Sequence, residues 1–148
     1  MKFTLSILAL LFSFNTFAVV ATGEVFYKIP ERNEIVNRAM SLSVPARGIG
    51  NVVLISSRGT EINSSRFWTG EDHGRKVFHV LFSALKNPTD PNSESIDMLF
   101  VGTYIRGANL ASYYGDIYFG AAASSIEMAQ TLEGFNHVGG FSFKSTIE

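Results

Sequence analysis

Lys76-Val77-Phe78-His79-Val80-Leu81-Phe82-Ser83 is the stretch that decides how this chain is read. Phe78, Val80 and Phe82 recur at every second position, and Val77, His79 and Leu81 fill the positions between them. A period of two is the signature of a β-strand, whose successive side chains leave on opposite faces. Both faces are largely apolar here, so both are expected to be covered.

Toward the N-terminus the same logic continues. Met40-Ser41-Leu42-Ser43-Val44 alternates apolar and small polar residues, predicting a half-buried strand that Pro45 ends. Arg47-Gly48-Ile49-Gly50 reads as a turn. Val52-Val53-Leu54-Ile55, inside Asn51 to Ser56, is an aliphatic run too short for an independent helix and reads as a buried strand. Arg58-Gly59 turns the chain. Glu61 to Thr69 reads as an edge or one-sided strand ending in Phe67-Trp68, and Gly70-Glu71-Asp72-His73-Gly74 reads as the next turn.

Toward the C-terminus, Lys86 to Ser95 is rich in proline, asparagine and serine and reads as an exposed loop. Asp97 to Ile105 resumes as a strand apolar on both faces, with Gly102 marking a bulge or a close backbone approach. Arg106-Gly107-Ala108-Asn109 reads as a turn, and Tyr113 to Gly120 as strand material around a Gly115-Asp116 turn signal. Phe141-Ser142-Phe143 opens a closing strand whose alternation runs on through Ser145 and Ile147.

Two segments read differently. Ala121 to Glu133 is rich in helix formers, stops at Gly134, and contains Ser124-Ser125-Ile126-Glu127, the serine-to-glutamate spacing of a capping box. Strand and short helix both stay open over 121–133. Glu31 to Arg38 has room for a turn of helix. Strands of this length and spacing, separated by glycine turns, predict a mainly all-β domain. The expected form is an antiparallel β-sandwich of about seven to nine strands, with a small barrel as the other architecture.

Residues 1–18 read as a cleavable export signal, leaving 19–148 as a single β-rich domain. Lys2 supplies a charge, Phe3 to Phe14 is mostly apolar, and Thr16-Phe17-Ala18 places small residues before a cut after Ala18, with Ala21 a second acceptable site. The apolar run is shorter than the roughly 20 residues of a spanning helix, so no stable membrane anchor is expected after cleavage. The location implied is periplasmic or extracellular. A chain with no cysteine must be stable without disulfides. Its formal net charge of −1 gives no electrostatic attraction to nucleic acid.

Candidate chemistry is incomplete everywhere. Glu71, Asp72 and His73, with His79, offer cation-ligand types, but adjacent residues rarely converge on one ion. Asp90, Asn92 and Glu94 alternate as at the start of a calcium loop, yet no glycine hinge follows and Val101 stands where the bidentate glutamate belongs. There is no Gly-x-Ser-x-Gly elbow and no phosphate-binding glycine motif, so no catalytic, metal or cofactor site is expected. The aromatic residues are more informative. Trp68, Tyr113 and Tyr114, with Arg106, are the candidate ligand-binding residues, since exposed rings on a rigid sheet stack on sugars or anchor protein partners. In regular strands Phe67 and Trp68, and Tyr113 and Tyr114, point to opposite faces.

The expected function is that of an exported, non-enzymatic binding module for a surface glycan or a cell-envelope protein. A small secreted hydrolase built around His79 or the Glu71-Asp72-His73 turn is the competing class. An inhibitor or structural subunit acting through a loop or sheet edge is the third.

Overall fold

The structure, a computed structural model, describes residues 19–29, 31, 33–45, 51–85, 90–106, 110–120 and 131–146, excepting the side chains of 84, 85, 106 and 146. Alternating apolar positions become eight strands: β1 (Val19–Ile29), β2 (Glu34–Val44), β3 (Val53–Ser56), β4 (Glu61–Asp72), β5 (Arg75–Leu85), β6 (Ser95–Arg106), β7 (Leu110–Gly120) and β8 (Phe135–Thr146). Each pairs antiparallel with its sequence neighbours, and β8 pairs back onto β1. The result is a closed up-and-down barrel, not two facing sheets.

Every second residue points into that barrel. Ala21, Val25, Leu42, Leu54, Phe78, Val80, Phe82, Phe100, Tyr113, Ile117, Phe141 and Phe143 form one inner core. Its centre is aromatic: Phe82 meets Phe100 edge-on at 5.2 Å, and Phe100 stacks on Phe141 at 4.8 Å. Such ring pairs add to the area they bury. The outer positions of β1 and β2 are mixed: polar Thr22, Glu24, Lys28, Asn37, Ser41 and Ser43 stand beside the exposed apolar Val20, Phe26 and Ile35.

Closure depends on places where strands crowd. Gly102 of β6 lies opposite Gly115 of β7, both at inward positions. A Cβ on Gly102 would collide with the Tyr114 carbonyl and the Phe141 ring, and one on Gly115 with the Val101 carbonyl. Two facing glycines let the strands coil tightly enough to bring β8 to β1. The alternation in sequence cannot separate this from a sandwich, because both send every second residue inward.

Several expectations are corrected. Gly70, Glu71 and Asp72 belong to β4, and the reversal is confined to His73 and Gly74, with φ 49° and 77°. Gly115-Asp116 is no turn, since β7 runs through it in register with β6 and β8. Glu34 to Arg38 is extended β2, paired with β1, and carries no helical turn; the reversal before it includes Asn33 at φ 51°. The first strand, Val19–Ile29, was not anticipated at all. Of the segment 121–133, for which strand and short helix both stay open, positions 121–130 lie outside the described residues; Thr131 is helical, and Leu132 and Gly134 take positive φ. The predicted turn at 47–50, residues 107–109 of the turn predicted over 106–109, the loop residues 86–89 and the export signal also lie outside them, while Arg106 ends β6.

Candidate functional site

The barrel sorts the sequence-predicted residues by face. Tyr113 points inward, 6% exposed, and stacks on Tyr104 at 6.1 Å. It belongs to the inner core and is not available to an external ligand. Its neighbour Tyr114 points outward and is 45% exposed. Phe67 packs inward and Trp68 outward, as the strand geometry requires. Arg106 closes β6 opposite Ala111. Trp68 on β4 and Tyr114 on β7 are separated by β5 and β6, so the four residues do not form one face.

Trp68 lies in a second apolar cluster on the outside of the barrel. Leu81, Leu99 and Phe135 are buried there, with Trp68, Val101, Tyr118 and Leu132 packed against them. The outer face of a barrel is ordinarily wet, and this one is covered because Leu132 and Phe135 fold back over β5 and β6. His79, opposite Trp68 in the ladder, stacks on the indole at 5.1 Å and 6°. Burial lowers the His79 pKa from its ordinary value. Its Nδ1 and the Trp68 Nε1 are buried without a hydrogen-bond partner, as is Asp97 Oδ2, while Ser83 Oγ donates to Asp97 Oδ1 at 3.0 Å.

A catalytic base is oriented by a partner, and among the described residues Nδ1 of His79 has no hydrogen-bond partner. His73 sits in the β4–β5 turn, paired with Asp72 at 2.6 Å in open solvent, beyond the Asp72–Arg75 pair that is itself four ladder positions from Trp68–His79. Glu71 and Asp72, adjacent on β4, face opposite sides. Among the described residues no group of three His, Cys, Asp or Glu side chains could hold a metal ion. At the Asp90 turn, Oδ1 accepts the Asn92 N–H at 2.9 Å, an arrangement that shapes a local turn.

Two half-exposed rings stand on one outer face elsewhere, on the strands that flank β8. Phe26 of β1, 46% exposed, lies opposite Gly140 of β8, which lies opposite Asp116 of β7. One step along the ladder, Glu24 faces Ser142, which faces Tyr114. The strip of β8 between the two rings is therefore glycine and serine. The Phe26 ring lies over Gly140, where a Cβ would come within 2.7 Å of Phe26 Cζ and 2.9 Å of the Gly115 carbonyl oxygen. Strand spacing puts β1 and β7 about 10 Å apart across this strip.

Polar groups border the rings. Asp116 Oδ1 and His137 Nε2 are 2.9 Å apart, both more than half exposed. Tyr118 meets the His137 ring edge-on at 5.4 Å. Burial, and then the Asp116 carboxylate, raise the Tyr118 pKa, so its hydroxyl stays protonated. The shelf thus offers two apolar faces, a carboxylate, an imidazole, the Glu24 carboxylate and the Ser142 hydroxyl. Sequence reasoning found Tyr114 but missed Phe26, whose strand was not recognised; the alternation of Val19, Ala21, Val25 and Tyr27 was the available signal.

Comparison with protein-family models, curated proteins and solved structures returns no match to this chain.

Proposed function

We propose that this protein is an exported, non-enzymatic binding module that holds a glycan on the β1–β8–β7 shelf. The single observation that carries the reading is the pairing of two half-exposed rings, Phe26 and Tyr114, across a strip of small residues edged by Asp116, His137, Glu24 and Ser142. Sugars present C–H faces that stack on aromatic rings and hydroxyls that pair with carboxylate, imidazole and hydroxyl groups. A site mixing these on a rigid sheet meets both needs without reorganisation. The apolar packing of the barrel interior directs binding to the outer surface.

The same reading favours signal cleavage after Ala18. Ala21 is completely buried opposite Leu42, and Val19 packs on the core, so a cut after Ala21 would remove the start of β1 from the barrel.

The test is retention on insoluble envelope and cell-wall glycans by the mature protein and its Phe26→Ala, Tyr114→Ala and Trp68→Ala variants. Wild type is expected to be retained, and loss of either shelf ring to weaken binding by about tenfold or more, as for anchor residues. Trp68→Ala should bind as wild type provided it folds. Retention unchanged in both shelf variants would end the proposal, and capture by an envelope protein through the same rings would replace the glycan with a protein partner.

A further inference from the structure

The barrel is closed, but one of its strands is short. β3 covers only Val53–Ser56 and pairs with Met40–Ser43 of β2. The earlier half of β2, Glu34–Ala39, has β1 on one side and no described strand on the other. Apart from Val36, the other five of these residues are exposed, and Ile35, at 76%, is the most exposed large apolar side chain among the described residues. An uncovered edge presents alternate backbone N–H and C=O groups to any strand that can lie beside it.

We propose that this edge pairs with the same edge of a second copy of the chain, giving a weak antiparallel dimer centred on Val36. Self-complementary charge supplies the argument. Glu34, Val36 and Arg38 share one face of β2, and neither Glu34 nor Arg38 is ion-paired among the described residues. In a two-fold antiparallel ladder centred on Val36, Glu34 of each copy lies directly opposite Arg38 of the other, twice over. Directly opposed residues are close enough for opposite charges to attract and like charges to repel. A parallel, in-register pairing would oppose Glu34 to Glu34 and Arg38 to Arg38, so the charges select the antiparallel form.

The geometry of the rest agrees. A two-fold axis through Val36 pairs residues of like parity, keeping the two barrel interiors on the same side of the joined sheet and setting Ile35 opposite Asn37. About five residue pairs form a small interface, well below the roughly 800 Å² per partner of a standard complex, so the dimer is concentration-dependent. Each copy's Phe26, opposite Asn37 on β1, would lie one strand from the junction.

Sedimentation velocity of the mature protein from about 5 µM to 1 mM tests this, spanning the affinities expected of a small interface. Wild type should shift toward dimer with concentration. Glu34→Arg and Arg38→Glu, which each place like charges opposite one another, should each dimerise at least about tenfold more weakly. An equimolar mixture of the two variants should associate more tightly than either alone, because it restores opposite charges at both positions. A monomer at all concentrations, or a mixture no tighter than its components, would overturn the proposal. Amide exchange on the wild type gives an answer independent of variant folding: Glu34–Arg38 amides should gain protection with concentration, and unchanged protection would contradict the dimer.

Discussion

β5 and β6 are apolar on both faces, whereas β1 is apolar inside and mixed outside, where Thr22, Glu24 and Lys28 stand with the half-exposed Val20 and Phe26, although all three belong to one single-layered barrel. The inner face is buried where the closed barrel surrounds it. The outer face is buried only where something lies on it, and over β5 and β6 that cover includes Leu132 and Phe135. On the stretch of β1, β8 and β7 around Gly140 and Ser142 the outer surface instead carries two half-exposed rings, Phe26 and Tyr114, beside small residues. Double-sided apolarity in this chain therefore marks where the chain folds back over the barrel. One-sided alternation marks where the barrel meets its surroundings.

The sharpest way to break this contrast is to empty each cluster in turn. Phe100→Ala, from the ring stack at the centre of the inner core, should lose about 3–5 kcal/mol in urea unfolding. Leu99→Ala, one residue away on the opposite face, should lose less, about 2–3 kcal/mol, because the outer cluster is smaller and closer to water. Equal losses would mean that the outer cluster is as integral to the fold as the inner one.

The outer cluster also carries a pH signature. Burial beside Trp68 lowers the His79 pKa, so the folded state resists protonation, while in the unfolded chain the group titrates near its ordinary 6.5. This stability contribution is complete above that value and is lost as pH falls from about 6.5 through the lower folded pKa. His79→Phe should flatten the acid side of the stability profile relative to wild type. Parallel profiles for the two proteins would show that His79 is not buried as described.

The smallest effect belongs to the shelf. Tyr114→Ala should change stability by no more than about 0.5 kcal/mol, as at an exposed site, while lowering ligand retention. A large stability loss would make Tyr114 a structural residue.

The strands were legible where alternation was strong, as in Lys76 to Ser83, and so was the opposition of Phe67 to Trp68. Val19–Ile29 escaped because its first residues adjoin the predicted cleavage site and because Thr22-Gly23-Glu24 interrupts the apolar rhythm with residues common in turns. Glu31 to Arg38 suggested helix because its glutamates, arginines and asparagine carry little β preference; pairing with β1 overrides that propensity. Barrel closure was not legible, since strand register is a property of the partner and not of the strand. The shelf went unseen for the same reason: Phe26 and Tyr114, far apart in sequence, become neighbours only through β8.

The central claim is that β1 closes onto β8. The chain has no cysteine, so a double variant, Glu24→Cys with Ser142→Cys, carries only the two introduced thiols at opposed outer positions of that seam. Opposed residues in an antiparallel pair have Cα atoms about 4.5–5.5 Å apart, within the range that a disulfide spans. Under mild oxidation of the folded, dilute protein the account predicts an intramolecular disulfide and no free thiol. Two thiols that stay reactive under the same conditions, in protein that is still folded, would show that the barrel is not closed at this seam.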